Sequence, residues 1–168
     1  MANIDIAAPG ANATALRAAL AKQGAGAFAQ SAVAVPLTGT TNETTLATIT
    51  IPAGALGANG QLILEALWTH TNSANSKTVR AKLGGSTLST SVSTTSAAVV
   101  GRTRIANRNS ASSQVAQAGF TDGTTGTAPN TAAVDTSAET TLTITGQLAS
   151  SGETLTLESY AVFLLPKA

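Results

Sequence analysis

Residues 61–85 read QLILEALWTHTNSANSKTVRAKLGG. Leu62, Leu64, Ala66 and Trp68 fall at every second position, broken by Glu65, Thr69 and His70, and only an extended strand puts such a series on one face. Val79, Ala81 and Leu83 then alternate with Thr78, Arg80 and Lys82, giving one dry and one wet face. Residues 71–76 between the two arms are turn-forming throughout. The pattern predicts an antiparallel hairpin in the middle of a β-sandwich, with Trp68 as the largest filler of its dry face.

The same periodicity recurs along the chain. Residues 32–37 form a short strand whose Pro36 cannot donate to a ladder, which places it at an edge or strand end. In residues 44–51, Ala47, Ile49 and Ile51 oppose Thr48 and Thr50. Residues 52–60, PAGALGANG, are longer than a tight hairpin needs and predict a crossover between sheets, with Leu56 plugging one end of the core. Gly84 and Gly85 turn into a Ser/Thr strand over 86–95, and residues 102–108 set Thr103, Ile105 and Asn107 against Arg102, Arg104, Ala106 and Arg108. Further strands are expected over 114–120, 139–146 and 153–165. The last should place Leu155, Leu157, Ser159, Ala161 and Phe163 on one face, and it is too apolar on both faces for an exposed edge. Short strands at regular intervals between turn signals predict an all-β, jelly-roll-like antiparallel β-sandwich.

Two stretches echo one another: NETTLATITIPAGALGANGQLIL and SAETTLTITGQLASSGETLTLESYAVFLL. Two similar strand pairs are what a double Greek key produces, and also what Thr-rich strands in general look like. Ahead of the sandwich, Ile4 and Ile6 mark an extended arm, and Leu16, Ala19 and Leu20 mark a short helix over 14–23 ended by Gly24 and Gly26. A helix that short needs a surface to pack on. The chain thus divides into an N-terminal arm, short helix and linker over 1–30, with Phe28 in the linker, and a sandwich domain over 31–168.

Composition narrows the chemistry. Charged residues are 10% of the chain and aromatics 3%, so the core must be built from Leu, Ile, Val and Ala, and the surface from Thr, Ser, Asn and Gln. With no Cys, disulfide and thiolate chemistry are excluded. MANIDIAAPG lacks the basic and apolar regions of a signal peptide, and no apolar run approaches a membrane span. His70 is the sole imidazole, without Ser, Asp or Glu at a spacing that reads as a triad, and Asp122–Gly123 lacks the repeated acids of a calcium loop. No nucleotide-binding or zinc-protease motif is present. Neither catalysis, a cofactor nor a metal is expected. Glu65 is expected on an outer face, or paired with Arg80 or Arg104 or with a neighbouring subunit. Lys77, Arg80, Lys82, Arg102, Arg104 and Arg108 are six bases with no acid between them. Without interleaved aromatics they point to contact with an acidic subunit face and not to direct nucleic-acid binding. Residues 121–136, rich in Gly and poor in large apolar groups, are expected to form a surface loop that contacts a partner.

PLTGTTNETTLATITIPAGALGANGQLILEALWTHTNSANSKTVRAKLGGSTL, with the closing TLTITGQLASSGETLTLESYAVFLL, resembles the small all-β virion proteins of tailed bacteriophages. The resemblance spans residues 31–165 and rests on structural motifs. It implies a capsid decoration or cement protein on the outer surface of the virion, homotrimeric, bound to the major capsid protein through its N-terminal arm. The alternative it implies is a tail, baseplate or head-fibre module that meets the host surface or its glycans. On the first reading, Ile4, Ile6, Leu16, Leu20, Phe28, Arg80, Lys82, Arg102, Arg104 and Arg108 are the expected capsid or subunit contacts.

Overall fold

The computed structural model describes residues 26–120 and 128–167. The expected arm and helix, with Ile4, Ile6, Leu16 and Leu20, lie outside the described residues, as do residues 121–127 of the expected partner loop. The described strands are β1 (Ala29–Ser31), β2 (Val35–Thr38), β3 (Thr44–Ile51), β4 (Gln61–His70), β5 (Lys77–Leu83), β6 (Ser86–Ser93), β7 (Ala98–Asn107), β8 (Gln114–Ala116), β9 (Asn130–Ala132), β10 (Thr140–Leu148) and β11 (Thr154–Leu165). They form two antiparallel sheets. The larger has the order β1-β11-β4-β7-β8-β9, with β2 also on the free side of β11, and the smaller has the order β3-β10-β5-β6. The sheets face one another over a core of Leu, Ile, Val and Ala with Trp68 and Phe120, so the fold is an all-β, jelly-roll-like sandwich.

The central hairpin is a correction. β4 pairs with β11 and β7, whereas β5 pairs with β10 and β6, so residues 71–76 carry the chain from one sheet to the other. Alternation fixes which side chains share a face but not which strand lies alongside. Ten residues of β4 bury Leu62, Ile63, Leu64, Ala66, Trp68 and His70, and such a strand is better placed inside the large sheet than beside its sequence neighbour. The hairpin of the region is β5–β6, which pairs Leu83 with Ser86. Its two loop residues, Gly84 (φ +53°) and Gly85 (φ +83°), both lie in the left-handed region that a two-residue hairpin turn requires.

The crossover at 52–60 connects β3 in the small sheet with β4 in the large one, and Leu56 is fully buried at the end of the core. The two sequence echoes occupy equivalent places. β3 leads to β4 and β10 leads to β11, each pair crossing from the small sheet to the large, while β3 pairs with β10 and β4 with β11. Pro36 lies on β2, which pairs with β11 alone. The linker expected to run to Gln30 is already strand at Ala29, where β1 joins β11, and Phe28 N donates to Val162 O. The strand expected over 114–120 closes after Ala116.

In β11 the register shifts between Leu157 and Ser159, so that Glu158 is an extra residue and the alternation changes face. Tyr160, Val162 and Leu164 therefore join Leu155 and Leu157 against the core, while Ser159, Ala161 and Phe163 turn outward with their cross-strand partners Leu67, Glu65 and Ile63. This reverses the second half of the face assignment expected for the strand.

Trp68 and Phe120 meet edge to face, with ring centroids 5.1 Å apart and planes at 82°. Gly101 lies against both. A Cβ there would stand 2.7 Å from Phe120 Cβ and 2.8 Å from Trp68 Cζ3. Gly101→Ala should therefore destabilise the fold by roughly 1–3 kcal/mol. Urea unfolding followed by the fluorescence of Trp68, the single tryptophan, reads this directly. An unchanged midpoint would contradict the packing described.

Candidate functional site

The fold disperses the basic run. Arg80 and Lys82 project from the outer face of the small sheet, where both reach Glu43: Arg80 Nη1 lies 3.4 Å from Oε2 and Lys82 Nζ 3.1 Å from Oε1. Thr145 Oγ1 donates to the same carboxylate at 2.7 Å, and Arg80 Nη1 also donates to Gln147 Oε1 at 3.0 Å. The Thr145 hydroxyl first, then Lys82 and Arg80, holds the Glu43 carboxyl below its ordinary value against partial burial. Arg102 and Arg104 sit on the opposite side of the molecule, on the outer face of the large sheet. Glu65 does lie on an outer face, but its partner is Arg102, at 3.3 Å, and not Arg80 or Arg104. Arg108 follows β7 and is exposed at the end of the sandwich. The run of bases is thus divided between two surfaces and partly neutralised by acids of the same chain, because strands in two sheets send its members to different faces.

Lys77 belongs to neither face. Its side chain is completely buried at one end of the sandwich. Nζ donates to Asn75 O (2.8 Å), Ser73 Oγ (2.9 Å), Thr94 O (3.1 Å) and Ser73 O (3.4 Å), with Glu153 Oε2 at 3.8 Å. Ser73 Oγ passes the interaction on by donating to Glu153 Oε1, which also accepts from Asn75 Nδ2 at 3.2 Å. The Ser73 hydroxyl, followed by Asn75, Lys77 and His70, holds the Glu153 carboxyl below its ordinary value, and burial opposes them.

His70 borders this cluster. Its Nδ1 faces Thr71 O at 3.2 Å, and since a carbonyl only accepts, that nitrogen carries the proton. Nε2 lies within hydrogen-bond distance of Ser93 Oγ (2.9 Å) and Ser96 Oγ (3.3 Å). The sequence offers no hint of this pairing, since the serines come from β6 and the turn after it. A serine hydroxyl on imidazole is half of a nucleophile–base arrangement, but the third position holds a main-chain carbonyl in place of a carboxylate, and the nearby Glu153 is engaged by Ser73 and Asn75. The arrangement ties β4 to β6 across the sheet-to-sheet connection. Among the described residues, no group of three or more His, Asp or Glu is placed to hold a metal ion.

A site open to a ligand lies elsewhere, on the outer face of the large sheet. There β1, β11, β4 and β7 form an open groove of about 530 Å³ lined by Gln30, Ser31, Ala32, Glu65, Ala66, Leu67, Val100, Ser159, Tyr160 and Ala161. Val100 at its rim is 76% exposed, and Val33, next to lining residue Ala32, is 74% exposed. Both are apolar groups left in water. The face continues through Ile63 and Phe163, which are opposite one another in the ladder, with Arg104 opposite Ile63 on the other side. Of the expected contact residues, Arg102 and Arg104 share this face, Phe28 packs against the core just ahead of β1, and Arg80 and Lys82 are on the other sheet. Tyr160, Ser159 and Gln30 went unforeseen. The bulge at Glu158, which brings Ser159 and Ala161 outward, leaves no sequence signal.

No protein-family model and no curated sequence matches this chain. Among solved structures, lectin I from Ulex europaeus in complex with the methyl glycoside of α-L-fucose is similar over 81% of this chain and 89% of its own, at 10% identity and a TM-score of 0.40. Dimeric latent PorU from Porphyromonas gingivalis is similar over 84% of this chain and 14% of its own, at 9% identity and a TM-score of 0.38.

Lys77→Met removes the ammonium and leaves its oxygen partners facing one another, so it should cost roughly 3–5 kcal/mol, measured by chemical denaturation. Glu153 supplies a pH test. Its lowered folded value means that its stabilising contribution is complete above the ordinary value of 4.5 and is lost as pH falls through the lowered one. The stability–pH curve of Glu153→Gln should be flatter than that of the parent protein over this acid range. Equal slopes would show that the carboxylate does not carry the effect.

Proposed function

We propose that this chain is a structural component of a bacteriophage virion, a decoration or cement protein that binds across capsid subunits on the outer surface of the head. The reading rests on one juxtaposition. Residues 1–25 lead directly into the β1 wall of a groove with exposed apolar groups, and those residues carry Ile4, Ile6, Leu16 and Leu20 as apolar anchors. Spaced anchors in the segment that precedes β1 in sequence, together with a face carrying half-buried Leu67 and Phe163 and exposed Val100, suit attachment by area burial across a joint between subunits. Arg102 and Arg104 beside the groove would orient such contacts more than strengthen them. Homo-oligomerisation belongs to the same proposal.

A second reading is favoured by the polar groups in the groove. Gln30, Glu65 and Ser159, on the outward face beside exposed Val100, offer hydrogen-bonding groups of the kind that recognise a sugar, as a tail or head-fibre module meeting host glycans would need.

Particles purified from the encoding phage should carry the chain on the head, visible by electron cryomicroscopy at side-chain resolution, and should lose it on deletion of residues 1–26. Unchanged occupancy after the deletion would sink the proposed attachment, and a position at the tail tip would favour the second reading.

A further inference from the structure

The described strand edges are not treated alike. The large sheet ends on β9, of three residues, and on β1 and β2, of three and four residues, the latter carrying Pro36. In the small sheet β6 is covered by the segment after β7: Thr90 N donates to Ala118 O at 2.8 Å, Ser89 Oγ donates to Gln117 O, and Asn130 Nδ2 donates to Leu88 O at 2.9 Å. Shortness, proline and covering segments are the usual ways of blunting an edge. Among the described residues β3 has none of these three, and its one irregularity is a bulge at Leu46, where the register with β10 shifts. The strand is eight residues, TTLATITI, with no charge and no proline, and among the described strands it pairs only with β10. Its outward side presents a row of main-chain donors and acceptors between exposed Thr45, Thr48 and Thr50 on one face and buried Leu46, Ile49 and Ile51 on the other.

The internal echo shows what such an edge accepts. ETTLATIT of β3 already pairs, antiparallel, with ETTLTIT of β10, a near copy of itself. In that ladder Thr48 is opposite Thr143, the residue that holds the place of Thr48 in the echo, and Ala47 is opposite Ile144, the counterpart of Ile49. Beyond Ala47 the register shifts, so that Thr145, the counterpart of Thr50, is opposite Thr45 and Leu46 is an extra residue; with that bulge the strand is self-complementary about Thr48.

We infer that β3 is a homotypic docking edge: a second copy of this chain adds its own β3 antiparallel to it across a two-fold axis at Thr48, joining two small sheets into one continuous sheet. Thr48 meets Thr48 of the second copy, the bulged pair Leu46 and Ala47 meets its Ile49, and Thr45 meets its Thr50, so with the same bulge as in the β10 ladder the threonine face and the core face both continue across the joint. The inference is independent of attachment to a virion and specifies a pair of chains as the closed unit.

Light scattering of the full chain should give twice 16.5 kDa. Thr48→Lys sets two like charges opposite one another on an exposed position and should reduce the mass to one chain, as should Thr48→Glu. An equimolar mixture of the two variants should recover the pair, whereas Thr141→Lys, on the same outer face but on β10, should leave it intact. Circular dichroism and Trp68 fluorescence would confirm that each variant is folded. A parent mass of one or three chains, a pair indifferent to Thr48→Lys, or a mixture that stays monomeric would each overturn the inference. So would a pair abolished by deletion of residues 1–25 but not by the charge at Thr48, which would assign the contact to the N-terminal segment.

Discussion

A buried ammonium governs how this chain passes between its sheets. Nζ of Lys77 can be removed from water only if its protons are received elsewhere, and residues 71–76 and Thr94 curl round it to offer carbonyl and hydroxyl oxygens. That requirement shapes the connection that takes β4 and β5 to different sheets. Glu153, arriving immediately before β11, adds the opposing charge and draws in the strand that lies beside β4. The lysine thus acts as an internal cation, holding two crossings of the sandwich at one end with a single group.

The opposite end is closed without charge. Asn107, Gln114 and Thr136, all buried, bind one another and the main chain at Gly57, Ala111 and Val134. Each amide group has its partners, as a buried polar cluster must if it is not to weaken the fold. Between these ends the core depends on many small contributions, roughly 1.5–3 kcal/mol for each fully buried Leu, Ile or Val, with one aromatic pair at its centre. Such a thin core suits two sheets with small side chains and gives the polar ends an unusual share in fixing which strands meet.

The sequence revealed strands better than neighbours. Alternation was enough to place Ile49 and Ile51, Leu142 and Ile144, or Thr103 and Ile105 toward the core, because side-chain direction in a strand is a local property. Pairing is not local. The turn-like residues 71–76 suggested a hairpin, yet the two arms separate because β4 finds its burial between β11 and β7. The bulge at Glu158 was equally illegible, since an inserted residue is defined only against the opposite strand, and it decided which side chains line the groove. The burial of Lys77 and His70 left no sign in the sequence either, because part of what surrounds them, Thr94, Ser93 and Ser96, comes from elsewhere in the chain. The echo, by contrast, was visible in sequence and turned out to correspond to strands that pair with one another.

The neutralisation of Arg80 and Lys82 by Glu43, and of Arg102 by Glu65, has a kinetic side. With so few charges, and several of those cancelled within a few ångströms, the molecule projects little long-range field. A partner approaching through solution is neither drawn in nor turned away before contact, so encounters proceed at the unsteered diffusive rate and respond weakly to ionic strength. How long such an encounter lasts is then a matter of short-range contact alone, since long-range attraction contributes little to either its formation or its persistence.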